Sequence, residues 1–156
     1  SAEVGNIFNF GTQKSEDTDF YYTDADGNKK YIHLGSYGIG VTRVMGVIAE
    51  QFSDEKGLVW PPAITPFKVY LATIGDIGER AEELYETLQS SGISTLYDDR
   101  DVRPGNKFAD AELMGITWRV VLSPRTLERN EVELQDRATG NVQNISIDEI
   151  VNYLKK

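Results

Sequence analysis

Cysteine is absent from the 156 residues, histidine occurs once, at His33, and methionine twice. Without cysteine there is no disulfide framework and no thiolate zinc site, and one histidine cannot build a multi-histidine metal centre, so no metal site is expected. No run reaches the roughly 18 apolar residues that a bilayer crossing needs. No basic-then-apolar leader opens the sequence either, so the expectation is a cytoplasmic protein with no membrane contact. Positive charge is scarce as well: 16 Lys and Arg stand against 25 Asp and Glu, a net charge of −9. That balance argues against broad, unselective phosphate binding, and any nucleic-acid contact has to come from a few placed residues.

Proline is rare too, yet three of the five prolines fall in "WPPAITP", residues 60–66. Proline has no backbone donor and biases its predecessor away from helix, so this stretch reads as a stiff, extended connector. The expected organisation is a first domain over 1–60, a connector over 61–66 and a second domain over 67–156. Charge does not mark the boundary: residues 1–65 carry 5 basic and 9 acidic side chains, and 66–156 carry 11 and 16. Hydrophobic residues make up 40% of the chain, enough to bury a core. The chain opens inside a patterned stretch, "AEVGNIFNFGT", where Val4, Ile7, Phe8 and Phe10 suggest a buried strand with an irregularity at Gly5. Starting in mid-pattern suggests a piece of a longer protein.

Further along, "DADGN" at 24–28 interrupts two apolar-rich runs and reads as a hairpin turn; the spacing and closing glutamate of a calcium loop are missing. "GSYGIGVTRVMGVIAEQF", 35–52, begins as a strand and continues as a helix with Val44, Val47, Ile48 and Phe52 on one face. In the second part, "FKVYLATI" is a strand and "ERAEELYETLQSSG" a helix that stops at Gly92. "ISTLYDD" is the next strand. "NKFADAELMG" is a short helix with Asn106 as N-cap and Gly115 as stop. "ITWRVVLS" and "EVELQD" are strands, "NVQNI" is a further short one, and "SIDEIVNYLKK" opens with Ser146 and Glu149 in capping-box spacing. The alternation predicts an α/β fold with a mixed, largely parallel sheet flanked by helices.

Gly38 and Gly40 at the end of "GSYGIG", followed by Arg43, suit a nucleotide, because glycine lets backbone approach a ligand and arginine can pair with phosphate. They form neither a Walker loop nor a dinucleotide fingerprint. In the second part, "DDRDVRPGNKF" places carboxylates beside Arg and Lys at a Pro-Gly turn. Arg100 or Lys107 suits a guanine's O6 and N7, and Asp98 or Asp99 suits its N1 and N2 donors. Phe108 or Arg103 could stack on an unpaired base.

Three stretches in order, "EVGNIFNFGT", "GSYGIGVTRVMGVIAEQ…DEKGLVWPP" and "DDRDVRPGNKFADAELMGI", resemble the C-terminal part of bacterial-type prolyl-tRNA synthetases, which are class II aminoacyl-tRNA synthetases. The resemblance covers essentially the whole chain. It implies that residues 1–60 are the end of the class II antiparallel catalytic sheet, carrying motif 3, and that 67–156 are an anticodon-binding domain. Arg43 would contact ATP, with Gly38 and Gly40 leaving room for adenine and proline. Glu3, Asn6, Phe8 and Thr12 would line the amino-acid side. Ser36 stands where many relatives carry cysteine, so no role of a thiol carries over. The implied partners are the tRNA(Pro) anticodon, read at its second and third letters, and proline and ATP with Mg2+ in a full enzyme that is a homodimer. Motifs 1 and 2 are absent, so this chain alone is expected to be inactive and to bind no cofactor tightly. Two alternatives remain: a free-standing tRNA-binding paralogue without aminoacylation activity, and a related threonyl or histidyl synthetase.

Overall fold

The computed structural model describes residues 1–156 and divides into two compact units, Ser1–Ile48 and Ala49–Lys156. In the first unit, β1 (Gly5–Gly11) leads through the short helix α1 (Gln13–Asp17) to a hairpin, β2 (Tyr21–Thr23) and β3 (Lys29–Tyr31). β4 (Leu34–Ile39) follows, and then α2 (Val41–Gln51), which ends in the second unit. β1 pairs antiparallel with β4. The helix α1 was not legible in the sequence; its anchor is Ser15, fully buried, whose Oγ donates to the carbonyls of Thr12 and Ile32 at 2.7 Å each. The "DADGN" turn closes as expected: Asp24 Oδ1 accepts from the amides of Asp26 and Asn28, and Gly27 takes φ +82°.

β1 is not the buried strand that its apolar residues suggest. Ile7 is 88% exposed and Phe8 50%, because a ribbon of two strands has no second layer to cover either face. The irregularity also lies elsewhere. Gly5 pairs regularly with Ile39, and a Cβ there would stand 2.9 Å from the Gly38 carbonyl. The register shifts between Asn9 and Gly11, where Asn9 Oδ1 accepts from the Gly11 amide.

The second unit opens with a two-strand clip, β5 (Ser53–Asp54) and β6 (Gly57–Leu58). Then come β7 (Val69–Thr73), α3 (Gly78–Ser90), β8 (Thr95–Asp98), α4 (Pro104–Met114), β9 (Trp118–Leu122), α5 (Pro124–Leu127), β10 (Glu131–Asp136), β11 (Val142–Ser146) and α6 (Ile150–Leu154). Five strands form one sheet in the order β11-β10-β9-β7-β8. β7 runs parallel to β8 and β9, while β10 is antiparallel to β9 and to β11. The sheet is therefore mixed: two of its four pairings are parallel and two antiparallel, with β10 the one strand reversed against the other four. Helices α3 and α4 return the chain to the starting edge and allow parallel pairing. The tight turn at 137–141 between β10 and β11, and the short α5 passage before β10, leave only the antiparallel option.

Strand β7 explains the two layers. Val69 and Leu71 face α3 and α6, joining Leu84, Leu88, Val120, Leu134 and Ile150 in the larger core. Tyr70 and Ala72 face α4 and meet Ala111 and Ile116. With both faces covered, the strand reads as an unbroken apolar run rather than an alternation. At the carboxyl end of the sheet the loops after β7 and β9 touch: a Cβ on Gly75, which has φ +83°, would lie 3.4 Å from the Pro124 ring.

Helix ends differ in detail from the sequence reading. α4 begins at Pro104 with Arg103 as N-cap, ahead of Asn106, since proline is favoured in the first turn. α6 begins at Ile150, and no side chain caps it; the Ser146 hydroxyl accepts from the Asp148 amide instead. Gly92 and Gly115 both take the left-handed conformation that ends a helix.

The clip is fastened to the C-terminal end of α4 and the turn after β10. Arg137 donates from Nη1 and Nη2 to the two Asp54 carboxylate oxygens at 2.7 Å each, and from Nε to the Glu112 carbonyl. Trp60 Nε1 donates to the Met114 carbonyl. A bidentate pair held by a guanidinium whose side chain is only 8% exposed is stronger than an ordinary surface pair. Arg137→Ala is expected to lower the Tm by about 5 °C in differential scanning calorimetry. An unchanged Tm would mean that the clip is held by Trp60 and the glycines alone.

Candidate nucleic-acid interface

In the first unit, antiparallel register places directly opposed residues on the same side of the ribbon. Asn6 is opposite Gly38 and Phe8 opposite Ser36, so four of the residues singled out from the sequence share one face. Ile7, Tyr37 and Ile39 share the other, at 88%, 88% and 73% exposure. Arg43 Nη1 donates to the Glu3 carbonyl at 2.7 Å, and the Glu3 carboxylate accepts from Asn6 Nδ2 at 2.9 Å. Glu3, Asn6 and Arg43 thus form one polar cluster. The Gly40 amide donates to the Val4 carbonyl at 2.9 Å, which brings the start of α2 beside it. A Cβ on Gly38 would meet nothing within 4 Å, so open space lies over that position. Thr12 stands apart, its hydroxyl donating to Glu16 at 2.6 Å.

In the second unit, the loop after β8 leads into α4. Its residues divide by burial. Asp98 is 5% exposed and ends β8 on the α4 side of the sheet, where register puts it beside Ala72. Its Oδ1 accepts from the Arg100 backbone amide and from Arg100 Nε, its Oδ2 from Arg100 Nη2 and from the Tyr70 hydroxyl. Arg100 Nη2 also donates to Asp110 on α4 at 2.7 Å. Lys107, 3% exposed, turns inward and donates to the Asp98 carbonyl at 2.9 Å and the Thr73 hydroxyl at 3.3 Å. The Phe108 ring is half-buried against the core, with the Arg119 guanidinium 4.1 Å from its centre.

These contacts reassign several residues proposed as base readers. Asp98 has four donors on its two oxygens and no capacity left for a guanine. Lys107 is spent on the loop's own backbone, and the Phe108 ring is covered by a protein cation. Each is polar or aromatic at a turn, which in the sequence looks like an exposed reader; burial makes them supports. Arg100 remains half-exposed, with its Nη1 unengaged. Asp99 and Arg103 are exposed and bond to no other side chain. Sequence reasoning passed over Tyr70 and Asp110. The signal for Tyr70 was present: a tyrosine inside a fully buried strand must find a partner for its hydroxyl.

Electrostatics follow the geometry. The Arg100 guanidinium, reinforced by Tyr70 and the Arg100 amide, holds the Asp98 carboxyl well below the usual carboxylate range despite its burial. Burial, and then the Asp98 charge, push the Tyr70 hydroxyl well above its ordinary value, so it stays a neutral donor. Asp98 and Asp110 together hold Arg100 firmly charged. Two cavities flank this arrangement. A groove of about 420 Å³ is lined by Leu96, Leu113 and Met114 with Arg100 at its edge, and one of about 520 Å³ lies between the loops after β7 and β8. An exposed cation, free carboxylates and an apolar groove at one sheet edge can receive an unstacked base.

Residues 68–156 match the family model described as "Anticodon binding domain". The match covers more than half of the chain, and the chain belongs to that family. Over nearly its whole length it is similar to curated proteins named "Proline--tRNA ligase". It is 44% identical to that of Methylobacterium sp. (strain 4-46) over 99% of this chain and 36% of the relative. Identity to that of Zymomonas mobilis (strain ATCC 10988) is 43%, over 97% and 35%. For Persephonella marina it is 43%, over 99% and 28%. The chain spans about a third of the length of these relatives. No helix is long and apolar enough to cross a membrane.

Proposed function

We propose that this chain is the C-terminal part of a prolyl-tRNA synthetase and that its second unit binds the anticodon of tRNA(Pro). The observation that carries this reading is similarity over 97–99% of the chain to proteins named "Proline--tRNA ligase", joined to the anticodon-domain match. That name disfavours the threonyl and histidyl alternatives. In this reading Asp99, Arg100 and Arg103 face the RNA, while Asp98, Lys107 and Phe108 hold the loop that presents them.

The first unit would serve the activation site of the whole enzyme, with proline and ATP bound together with Mg2+, in a homodimer. The residues fit that role: Arg43 is 60% exposed and tethered at Glu3, Gly38 leaves space, and Asn6, Phe8 and Ser36 share its face. ATP supplies the phosphate through which the proline carboxylate is activated. Arg43 would neutralise phosphate charge, and Gly38 and Gly40 would let backbone lie close to the nucleotide.

Titrating the protein with a proline tRNA, and with the same tRNA altered at its second or third anticodon letter, tests the second unit. Loss of tenfold or more in affinity with either change, about 1.4 kcal/mol, is the expected result. Equal affinity for all three RNAs would reduce the loop to a charged surface.

A further inference from the structure

We propose that Tyr70 is a positioning residue for RNA recognition: acting through Asp98, it fixes the orientation of the Arg100 guanidinium at the edge of the Leu96–Leu113–Met114 groove. This rests on the anticodon reading above and deepens it. Tyr70 lies in β7, an inner strand beside the edge strand β8, at the floor of that groove and at 1% exposure, so it offers almost no surface to RNA itself. Its hydroxyl donates to the same Asp98 oxygen that accepts from Arg100 Nη2. That oxygen is thereby held by the core of the sheet as well as by the loop.

The consequence for Arg100 is geometric. Its Nε and Nη2 are bound side-on to Asp98 at 2.8 Å each, and Nη2 also meets Asp110. A guanidinium so engaged cannot offer its two-pronged Nε/Nη2 edge to the O6 and N7 of a guanine. What it can offer is a fixed flat cation and the Nη1 donors. Guanidinium planes stack on base faces, and an apolar groove beside one suits the second face or edge of a splayed base. The carboxylates on both sides set the tilt of that plane: Asp98 from β8 and Asp110 from α4. Tyr70 sets Asp98, since without the hydroxyl one oxygen loses its only donor from outside the loop. The neutral state of the phenol serves this arrangement, because a phenolate could not donate.

The test is Tyr70→Phe, which keeps the ring and the packing, measured in two ways. The first is the Arg100 Nε–H resonance in 15N NMR, where a rigid bidentate partner gives a distinct shift and slow solvent exchange. In Tyr70→Phe that signal is expected to shift toward free arginine and exchange faster. The second is a double-mutant cycle with Arg100→Ala, read as affinity for a stem-loop carrying the proline anticodon. Tyr70→Phe should weaken binding about threefold or more in the native background and produce no further loss when Arg100 is alanine. An unchanged Arg100 signal overturns the proposal. So does an equal loss in both backgrounds, which is what a purely structural tyrosine would give. If the native protein binds every anticodon alike, the anticodon reading fails, while the NMR arm still decides whether Tyr70 governs Arg100.

Discussion

Replacing Gly115 with alanine is expected to cost the second unit about 3 kcal/mol or more, a fall in Tm on the order of 10 °C or beyond. Two causes add. The residue takes φ +69°, where a side chain is strained by about 1 kcal/mol or more. A Cβ would also run into the carbonyl of Leu58, which is backbone and cannot swing aside. The site is crowded because Gly115 ends α4 and meets the clip at once: its amide donates to Ala111 and Glu112, and its carbonyl accepts from the Trp60 amide. Gly92 supplies the control. It takes φ +78° but has open space where a Cβ would stand, so Gly92→Ala should cost only about 1 kcal/mol. Calorimetry on both variants separates strain from collision. Equal losses would show that the clip yields to the added methyl group.

Asp98→Asn is expected to destabilise the protein by about 2 kcal/mol at pH 7 and to weaken anticodon binding by tenfold or more. The amide keeps the shape, but it turns one acceptor into a donor facing Tyr70 and Arg100 and removes the charge that pairs with the guanidinium. The cost is held below that of a fully buried pair because half of the Arg100 side chain is exposed to water. The pH dependence has a definite sign. Asp98 is depressed in the folded state, so its contribution is whole above the unfolded carboxylate value, near pH 4, and is lost as pH falls toward the lower folded value. The native and Asp98→Asn stability curves should therefore converge below about pH 4. Urea titrations at pH 7, 5 and 3 would show it. A gap that stays constant down to pH 3 would mean that the Asp98 charge contributes nothing to the fold.

From β7 on, the order of the longer elements was legible in the sequence because their patterns are long: Ala81, Leu84 and Leu88 mark α3, and Gly92 and Gly115 mark where helices stop; the two-residue strands of the clip and the four-residue α5 are too short to leave a pattern. The sheet's handedness of pairing was less so, since nothing in "EVELQD" distinguishes a parallel strand from an antiparallel one; the five-residue turn after it does. Within the loop proposed to meet RNA, the sequence did not show which side chains face out. Asp98 and Lys107 are charged, and charge ordinarily predicts exposure. Their burial depends on Tyr70 and Thr73, nearly thirty positions or more away in the chain, and such a pairing is invisible to local pattern. The exposed face of β1 was missed for the related reason that an apolar strand does not say what covers it.

The meeting of Gly75 and Pro124 bears on what kind of ligand the sheet can serve. In an open α/β sheet, small molecules usually enter at the carboxyl ends of the strands, where successive connections leave in opposite directions. Here that point lies between β7 and β9, since the chain goes to β8 on one side and to β9 on the other. Pro124 sits over it, against Gly75, and the Ile74 amide donates to the Leu122 carbonyl, carrying the pairing past the strand ends. The gap directly between β7 and β9 is thus occupied by Pro124. The two open cavities lie to one side of it, toward the outer margin beside β8, where a bound molecule can rest along the rim without passing between the strands.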